Sequence, residues 1–356
     1  MSAPAPGRLP AFAGSLSVAV LLALGIVALL AAVLAASGFD VSSALTALVR
    51  GAAGSSYAVF SATLVRATPL ILTGLAVALA FQGGILNIGA EGQLLAGAAV
   101  ASAVALAWGD SLGAGALVLA LVAAAAAGAG WAAVPAWLKR RFGVLEVIST
   151  IMMNFVALYG VGYLVRGPLQ EPTRIYPQSS SLPAATHLPM LIPGTRLHVG
   201  FAVAVIAALI AWHAVRNTSA GFRLRVVGAN PHAAASAGGV DVAAVSLRAF
   251  LVSGALAGLA GGVEVAGVTY ALYENISPGY GYTAIAVALL AGLHPGLVLL
   301  SGVLLGALEA GAAAMQREAG VPLVLVSVVE AMIILAIVGA RAVLARRVRG
   351  AAEVGT

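Results

Sequence analysis

The chain has 356 residues, of which 62% are hydrophobic and only 8% are charged. Soluble domains carry about 25% charged residues, and a mean hydropathy of +1.06 leaves too little polar surface to cover a large core. The composition excludes a soluble globular protein. Because the pattern of alternating strands that marks a membrane barrel is absent, it predicts an all-α, polytopic membrane protein.

The apolar runs predict about ten transmembrane helices within residues 14–340, which form one transmembrane domain. Residues 281–338 divide into three segments, the first unusually short, because His294-Pro295-Gly296 and a polar stretch ending at Pro322 interrupt the apolar run. The seven predicted spans before them are residues 14–36, 57–81, 85–107, 111–134, 144–165, 199–215 and 247–271.

The basic residues predict the orientation of these helices. With ten crossings, all four basic clusters face the cytoplasm, as does each flanking segment, residues 1–13 and 341–356. The proline-rich loop 166–198 then lies outside, and the loop 216–246 lies inside. Topology explains the net charge of +6, so no nucleic-acid partner is expected. The clusters are Arg8; Lys139, Arg140 and Arg141; Arg216, Arg223 and Arg225; and Arg341, Arg346, Arg347 and Arg349.

A search for catalytic sets indicates that the chain is not an enzyme. Lys139 is the only lysine, and it follows no glycine-rich phosphate loop, so a Walker A nucleotide site is excluded. The five histidines lack the spacing of a metal site, and there is no cysteine. We expect no cofactor or metal in this chain, and any energy that it uses must come from a partner.

The segment from Phe81 to Gln93 interrupts an apolar region with four glycines and several polar side chains. Lipid does not tolerate such a surface, so the segment is either a broken helix at a pathway or a connector. If it is helical, Asn87 and Glu91 lie on one face, one turn apart. We expect them to hold neighbouring helices together, with direct contact to a substrate as the alternative. The candidate residues for the pathway or broken helix are Asn87, Glu91, Gln93, Asn154 and Glu264.

Gly254, Gly258 and Gly262 repeat at a spacing of four residues within an apolar run. This pattern forms a groove that lets a second helix approach closely. Three glutamates also lie in apolar runs, where a carboxylate is costly and usually faces inward. They are Glu264, Glu309 and Glu330, and a proton relay through them is the alternative to a structural role.

The cytoplasmic loop 216–246 contains the signals of a short helix. Asn230 is a good N-cap, Pro231 suits the first helical position, and Gly238-Gly239 stops the helix after about two turns. The segment is too polar to enter lipid.

Three strings resemble the permease subunits of bacterial ABC importers for nucleosides and simple sugars. They are Leu86 to Gln93, Val226 to Ala234, and Gly254 to Gly262. The form Asn-Ile-Gly-Ala-Glu-Gly-Gln is most similar to the longer of the two permeases in nucleoside importers whose receptor is a basic-membrane-protein lipoprotein. The resemblance extends over about residues 57–340.

The resemblance implies a subunit of the bacterial inner membrane that imports a nucleoside by alternating access. It implies a second permease subunit, an extracytoplasmic binding lipoprotein, and two ATPase domains, often fused, that bind ATP and magnesium. It also implies a helix that couples the permease to the ATPase, with Gly228, Asn230, Pro231, His232, Ala233 and Ala234. Ala235 and Ser236 depart from the family pattern of a larger or basic residue and an aromatic.

Other cargoes and other classes of protein are alternatives to this interpretation. A sugar or a branched-chain amino acid would suit the same class of permease. A secondary transporter driven by ions through the three glutamates, or a membrane scaffold, would need no ATPase.

Overall fold

The computed structural model describes residues 31–322 and residues 25, 28, 29, 325, 327, 328, 331, 332, 335 and 339. This part of the chain is all-α, with three isolated β-bridges and no strand. Single π-helical turns lie within α2, at Val59–Thr63, and at the end of α9, at Val265–Thr269. The helices are α1 Val41–Ala53, α2 Ser56–Gln82, α3 Ala90–Leu112, α4 Ala114–Phe142, α5 Glu146–Arg166, α6 Gly200–Asn217, α7 Ser219–Ala229, α8 Pro231–Gly238, α9 Val242–Thr269, α10 Tyr280–Leu290 and α11 Pro295–Ala319.

Seven helices of the described residues are long and apolar enough to cross a membrane, namely α2 to α6, α9 and α11. Six of them match the first set of predicted spans, and α10 and α11 are the first two of the three segments expected in residues 281–338. The first predicted span, 14–36, and the last segment of 281–338 lie largely outside the described residues, so the total of ten stays a prediction. The helices α1 and α7 were not predicted.

Contacts divide the chain into two units. The first unit comprises Met1–Gly54 and Leu308–Thr356, and the second comprises Ser55–Ala307. In the first unit, Asp40 caps α1 by accepting a hydrogen bond from the Ser43 N–H at 2.8 Å. Buried side chains then form its apolar core, which contains Leu34, Ala44, Ala47, Ala312, Met315 and Val321.

Glycines set the packing of the second unit. A β-carbon at Gly258 of α9 would overlap the Ala124 carbonyl, and one at Gly254 would overlap the Gly128 carbonyl, both on α4. A β-carbon at Gly262 would lie 2.8 Å from that of Ala124. The three glycines therefore allow α4 and α9 to pack in close contact over about two turns, with backbone on backbone at Gly254 and Gly258.

The second unit has two ends that differ in character. At one end Lys139, which closes α4, pairs with Glu146 at 2.8 Å, and α7 and α8 follow Arg216. We call this the basic end. The other, the loop end, carries residues 167–199, which are held by backbone bonds such as Ser179 N–H to Leu272 O (2.9 Å).

The helix α10 is half the length of its neighbours. Its 11 residues span about 16 Å, against about 30 Å for the bilayer core. The backbone that leads into it follows α5. Glu274, in the non-helical part, pairs with Arg166 at 2.7 Å, and the hydroxyl of Tyr282, in the first turn of α10, is 3.3 Å from Asn154 Nδ2. Irregular backbone at this depth is tolerated only where protein or water covers it.

Candidate functional site

The candidate site lies where α3 begins. The predicted span 85–107 was wrong at its start, because α3 begins at Ala90, so Asn87 and Glu91 do not share a helix face. Asn87 precedes the helix. Its Oδ1 accepts the Gly89 N–H at 2.9 Å, which holds the chain in a turn instead of a helix.

Asn87 also joins α3 to α9 through its side chain. Its Nδ2 donates to Gln93 Oε1 at 3.0 Å and to Ser253 Oγ at 2.9 Å, and its Oδ1 accepts from Gln93 Nε2 at 3.1 Å. Asn87 is fully buried, and all its hydrogen-bonding capacity is used. A satisfied buried network of this kind fixes one arrangement of the elements that it joins.

Asn154 joins the same segment to α5 and α10. Its Oδ1 accepts the Gly92 N–H at 2.8 Å, and its Nδ2 donates to the Ile88 carbonyl at 2.9 Å. The Tyr282 hydroxyl accepts a longer bond from the same amide. Residues 83–89, between α2 and α3, are non-helical, and we call them the broken segment. Because one amide bonds the chain on both sides of Gly89, the broken segment cannot shift without breaking these contacts.

Glu91 connects α3 to the first turn of α10. Its carboxylate accepts the Gly281 N–H at 2.7 Å and a hydrogen bond from the Ser277 side chain. A carboxylate is favoured at a helix N-terminus, where backbone N–H groups lack partners within the helix. A β-carbon at Gly281 would overlap the Glu91 backbone, so glycine is required for this close approach.

Glu264 lies away from this cluster. It is 4% exposed and sits 11 residues beyond Ser253 on α9, which is about 16 Å along the helix. The structure therefore brings together four of the five candidate residues. Of the other two glutamates, Glu309 belongs to the first unit, and Glu330 lies outside the described residues.

His198, at the loop end, is a buried polar residue that we did not select from the sequence. Its ring is fully buried against Gly200 and Gly267, and neither ring nitrogen has a hydrogen-bond partner. Burial, with a smaller contribution from the positive charge of Arg196, lowers its pKa to about 4. The ring is therefore neutral at physiological pH.

The predicted short helix is α8, Pro231–Gly238. Asn230 Oδ1 accepts the Ala233 N–H at 3.0 Å, and Gly239 ends the helix in a left-handed conformation, as the cap and stop residues predict. The exposed side chains of α8 include His232, Ala233 and Ser236, whereas Ala234 is buried against the chain itself. Ala234 is therefore positioned to seat the helix, not to face a partner.

The helix α7 joins α8 to the broken segment. Gly228, in the last turn of α7, packs directly on the Gln82 backbone, where a β-carbon would overlap the Gln82 carbonyl. Leu224, one turn earlier, lies against Gly83. The segment we chose from sequence for coupling thus touches the start of the turn that contains Asn87.

Four partners of these residues were not selected from the sequence: Ser253, Ser277, Gly281 and Tyr282. Ser253 was detectable, because it is a polar residue in the apolar run of α9. Tyr282 was not detectable in this way. Nothing in its spacing indicates that it reaches Asn154, since that contact depends on the irregular backbone before α10.

Comparisons with known proteins find permeases of ABC transporters. The chain is 42% identical, over 88% of its length and 90% of the relative's, to the guanosine ABC transporter permease protein NupP of Bacillus subtilis. It is 39% identical to a glucose ABC transporter permease protein of Haloferax volcanii, over 76% of this chain and 74% of the relative.

The nucleoside ABC transporter permease protein NupB of Lactococcus lactis is 31% identical, over 76% of this chain and 77% of the relative. No solved structure matches the chain significantly. Residues 59–338 match the family described as the permease component of branched-chain amino acid transport systems.

Permeases of this class are multi-pass proteins of the inner membrane that work with an ATPase and a substrate-binding protein. The seven long apolar helices and the resemblance noted at Leu86 to Gln93 both agree with such a subunit. The family match, residues 59–338, covers more than two thirds of the chain. The chain therefore belongs to this family of ABC transporter permeases, which is described as the permease component of branched-chain amino acid transport systems.

Proposed function

We propose that this chain is the permease subunit of an ATP-driven importer of nucleosides. The observation that carries the proposal is the identity of 42% with a guanosine permease along nearly the whole of both chains. Identity to a glucose permease of 39% makes a simple sugar the second candidate cargo. The relatives favour both cargoes over a branched-chain amino acid, and the family of ABC permeases favours an ATP-driven transporter over an ion-coupled one.

The proposed assembly contains a second permease subunit, identical or related, and two ATPase domains fused in one chain. An extracytoplasmic lipoprotein delivers the cargo. ATP and magnesium bind to the ATPase domains, and this chain carries out no catalysis. The only lysine of the chain, Lys139, follows no glycine-rich phosphate loop, which supports ATP binding by the partner and not by this chain.

The proposed orientation places the basic end in the cytoplasm and the loop 166–198 outside. Residues 1–13 and 341–356 are cytoplasmic in this arrangement. The support is the charge asymmetry, since the basic end carries Lys139 to Arg141 together with Arg216, Arg223 and Arg225.

The mechanism we propose for coupling is mechanical. The exposed face of α8 docks on the ATPase, and closure of the ATPase domains on ATP displaces α8 and α7. Gly228 and Leu224 touch Gln82 and Gly83, so this displacement reaches the broken segment directly. Backbone packed on backbone leaves no flexible side chain to absorb the motion.

The site around Asn87 then converts that displacement into a change of access. Asn87, Gln93 and Asn154 hold the broken segment to α9 and α5, and Glu91 holds it to α10. Movement of the segment therefore moves the half-helix α10. The broken segment and α10 form the gate in this mechanism, and we assign these four residues a positioning role in it. Glu264 is a separate candidate nearer the loop end.

Reconstitution of the complete transporter in liposomes tests the proposal. With its ATPase and receptor present, the complex should take up labelled guanosine in the presence of external receptor and internal ATP. A tenfold excess of unlabelled guanosine should compete, and the same excess of glucose should not.

Two controls decide between the alternatives. A variant of the ATPase that binds but does not hydrolyse ATP should abolish uptake. Uptake that persists with this variant, or that an imposed proton gradient drives, would contradict an ATP-driven permease. Competition by glucose alone would instead establish the second candidate cargo.

A further inference from the structure

The second unit has a cavity of about 600 Å³ at its basic end, between α6, α7 and α9. Most of its lining is aliphatic, contributed by residues such as Ile210, Val252 and Leu256. Its size falls within the range of about 300 to 1,000 Å³ that is typical of cavities that hold small ligands. None of the residues assigned to the gate lines it.

The lining on α9 gives the cavity a direction. The lining residues Val245, Arg248, Val252 and Leu256 follow a helical spacing on one face and extend about 16 Å from the basic end toward the bundle centre. Arginine occurs only in the part near the basic end, and the remainder is apolar. The cavity is therefore polar at one end and apolar at the other, as an amphiphilic ligand requires.

Two arginines line the polar end of the cavity, Arg223 on α7 and Arg248 on α9. Both are exposed, and neither takes part in the ion pairs found among the described residues. The carboxylate of Asp241, at the start of α9, is used in capping the helix through the Ala244 N–H (2.9 Å). The two cations are thus available to an anion from outside the chain.

The cavity also opens sideways. Ile210 is 63% exposed and Val252 is 49% exposed, so the apolar wall faces the surface that a bilayer would cover. A nucleoside would find few hydrogen-bonding groups there, whereas an acyl chain needs none. Two cations above an apolar channel are complementary to a lipid whose head group is negatively charged.

We infer that this cavity binds one anionic phospholipid, with its phosphate between Arg223 and Arg248 and an acyl chain along α6 and α9. The leaflet follows from the proposed orientation, in which the basic end is cytoplasmic. The inference rests on that orientation for the choice of leaflet only, since binding itself depends on the cavity.

Lipid binding to the purified complete transporter tests this inference. Titration with phosphatidylglycerol should raise the melting temperature and give a bound lipid by native mass spectrometry, whereas phosphatidylcholine with the same chains should bind at least tenfold more weakly. The double variant Arg223→Gln, Arg248→Gln should lose that preference. Arg216→Gln removes a nearby charge that does not line the cavity and should retain it.

Two further arms separate a lipid from other occupants. Filling the apolar part with Ala207→Phe should weaken phosphatidylglycerol binding at least tenfold while both arginines remain. Inorganic phosphate should not compete at millimolar concentration, and full competition would mean a free anion site and overturn the inference. Absence of lipid from the assembled complex would overturn it too, since another subunit would then cover the cavity. These readouts measure binding, so they stand apart from the identity of the cargo.

Discussion

At the scale of single residues, the hydrogen bond between Glu91 and Gly281 makes distinct predictions for two substitutions. Glu91→Gln keeps a side-chain oxygen that accepts the Gly281 N–H, so the complex should assemble and retain most of its uptake. Glu91→Ala leaves that N–H buried without a partner, which should cost about 1 to 3 kcal/mol. The melting temperature of the complex in detergent should fall for alanine only.

The same pair of variants tests the alternative role of Glu91. If its carboxylate carries a proton or contacts the cargo, Glu91→Gln should fail in uptake as badly as Glu91→Ala, with assembly intact. A stable, inactive Glu91→Gln transporter would contradict the positioning role.

His198 predicts a dependence of stability on pH. Because its pKa is about 4 in the folded chain and about 6.5 when unfolded, the unfolded chain binds the proton first as the pH falls. The free energy of unfolding is therefore unaffected by this group above pH 6.5. It decreases as the pH falls toward 4, by up to about 1.4 kcal/mol per pH unit.

Melting temperatures of the complex measured between pH 7.5 and pH 5 test this prediction. The wild type should lose more stability than His198→Leu, which removes both unpartnered nitrogens at similar volume. An equal decrease in the two proteins would show that other groups cause the pH dependence.

At the scale of elements, the contact of α7 with the broken segment predicts uncoupling. Gly228→Ala places a methyl group on the Gln82 carbonyl and must separate α7 from the end of α2. Uptake should fall at least tenfold, and ATP hydrolysis should lose its stimulation by loaded receptor. The assembled complex should still be recovered from the membrane in normal amount.

A matched glycine provides the control for this variant. Gly130 of α4 has open space around the position of a β-carbon, so Gly130→Ala should leave uptake unchanged. If Gly228→Ala transports at the wild-type rate, the proposed path from α8 through α7 to Gln82 is wrong.

The limits of sequence reasoning follow the same elements. The long helices were predictable because a chain in lipid must satisfy its backbone hydrogen bonds within each span, so apolar runs and helices coincide. The helix α8 was predictable because Asn230, Pro231 and Gly239 act locally. Local signals failed at Ile85 to Ile88, which continue the apolar pattern although Asn87 folds them into a turn.

The candidate site was predictable in its residue types and only partly in its membership. Asn87, Gln93 and Asn154 stood out because polar side chains in apolar surroundings require partners. Their partners on α9 and α10 depend on how distant helices pack, and hydropathy carries no information about that. Glu264 looked equivalent to Glu91 for this reason, although α9 carries it about 16 Å beyond Ser253.

At the scale of the whole molecule, the proposed orientation predicts which surfaces a reagent can reach. Ile175 is 72% exposed in the loop 166–198, and Ser236 is exposed on α8. Because the chain has no cysteine, Ile175→Cys and Ser236→Cys introduce single reactive sites. An impermeant thiol reagent should label Ile175→Cys in intact cells and Ser236→Cys only after permeabilisation. The opposite result would invert the topology.

The attachment of the loop 166–198 has a consequence for timing. The loop is held to the segment that leads into Gly281 by two backbone hydrogen bonds. The N–H of Leu182 donates to the Tyr270 carbonyl at 2.8 Å, and the N–H of Leu188 donates to the Ala266 carbonyl at 2.8 Å. A receptor seated on the loop would pull on this segment from one side of the membrane, and α7 would push on Gln82 from the other. Both forces would then meet at the contact between α3 and α10, which Glu91 holds through Gly281 and Ser277, so a receptor on one side of the membrane and nucleotide on the other would act on the same half-helix.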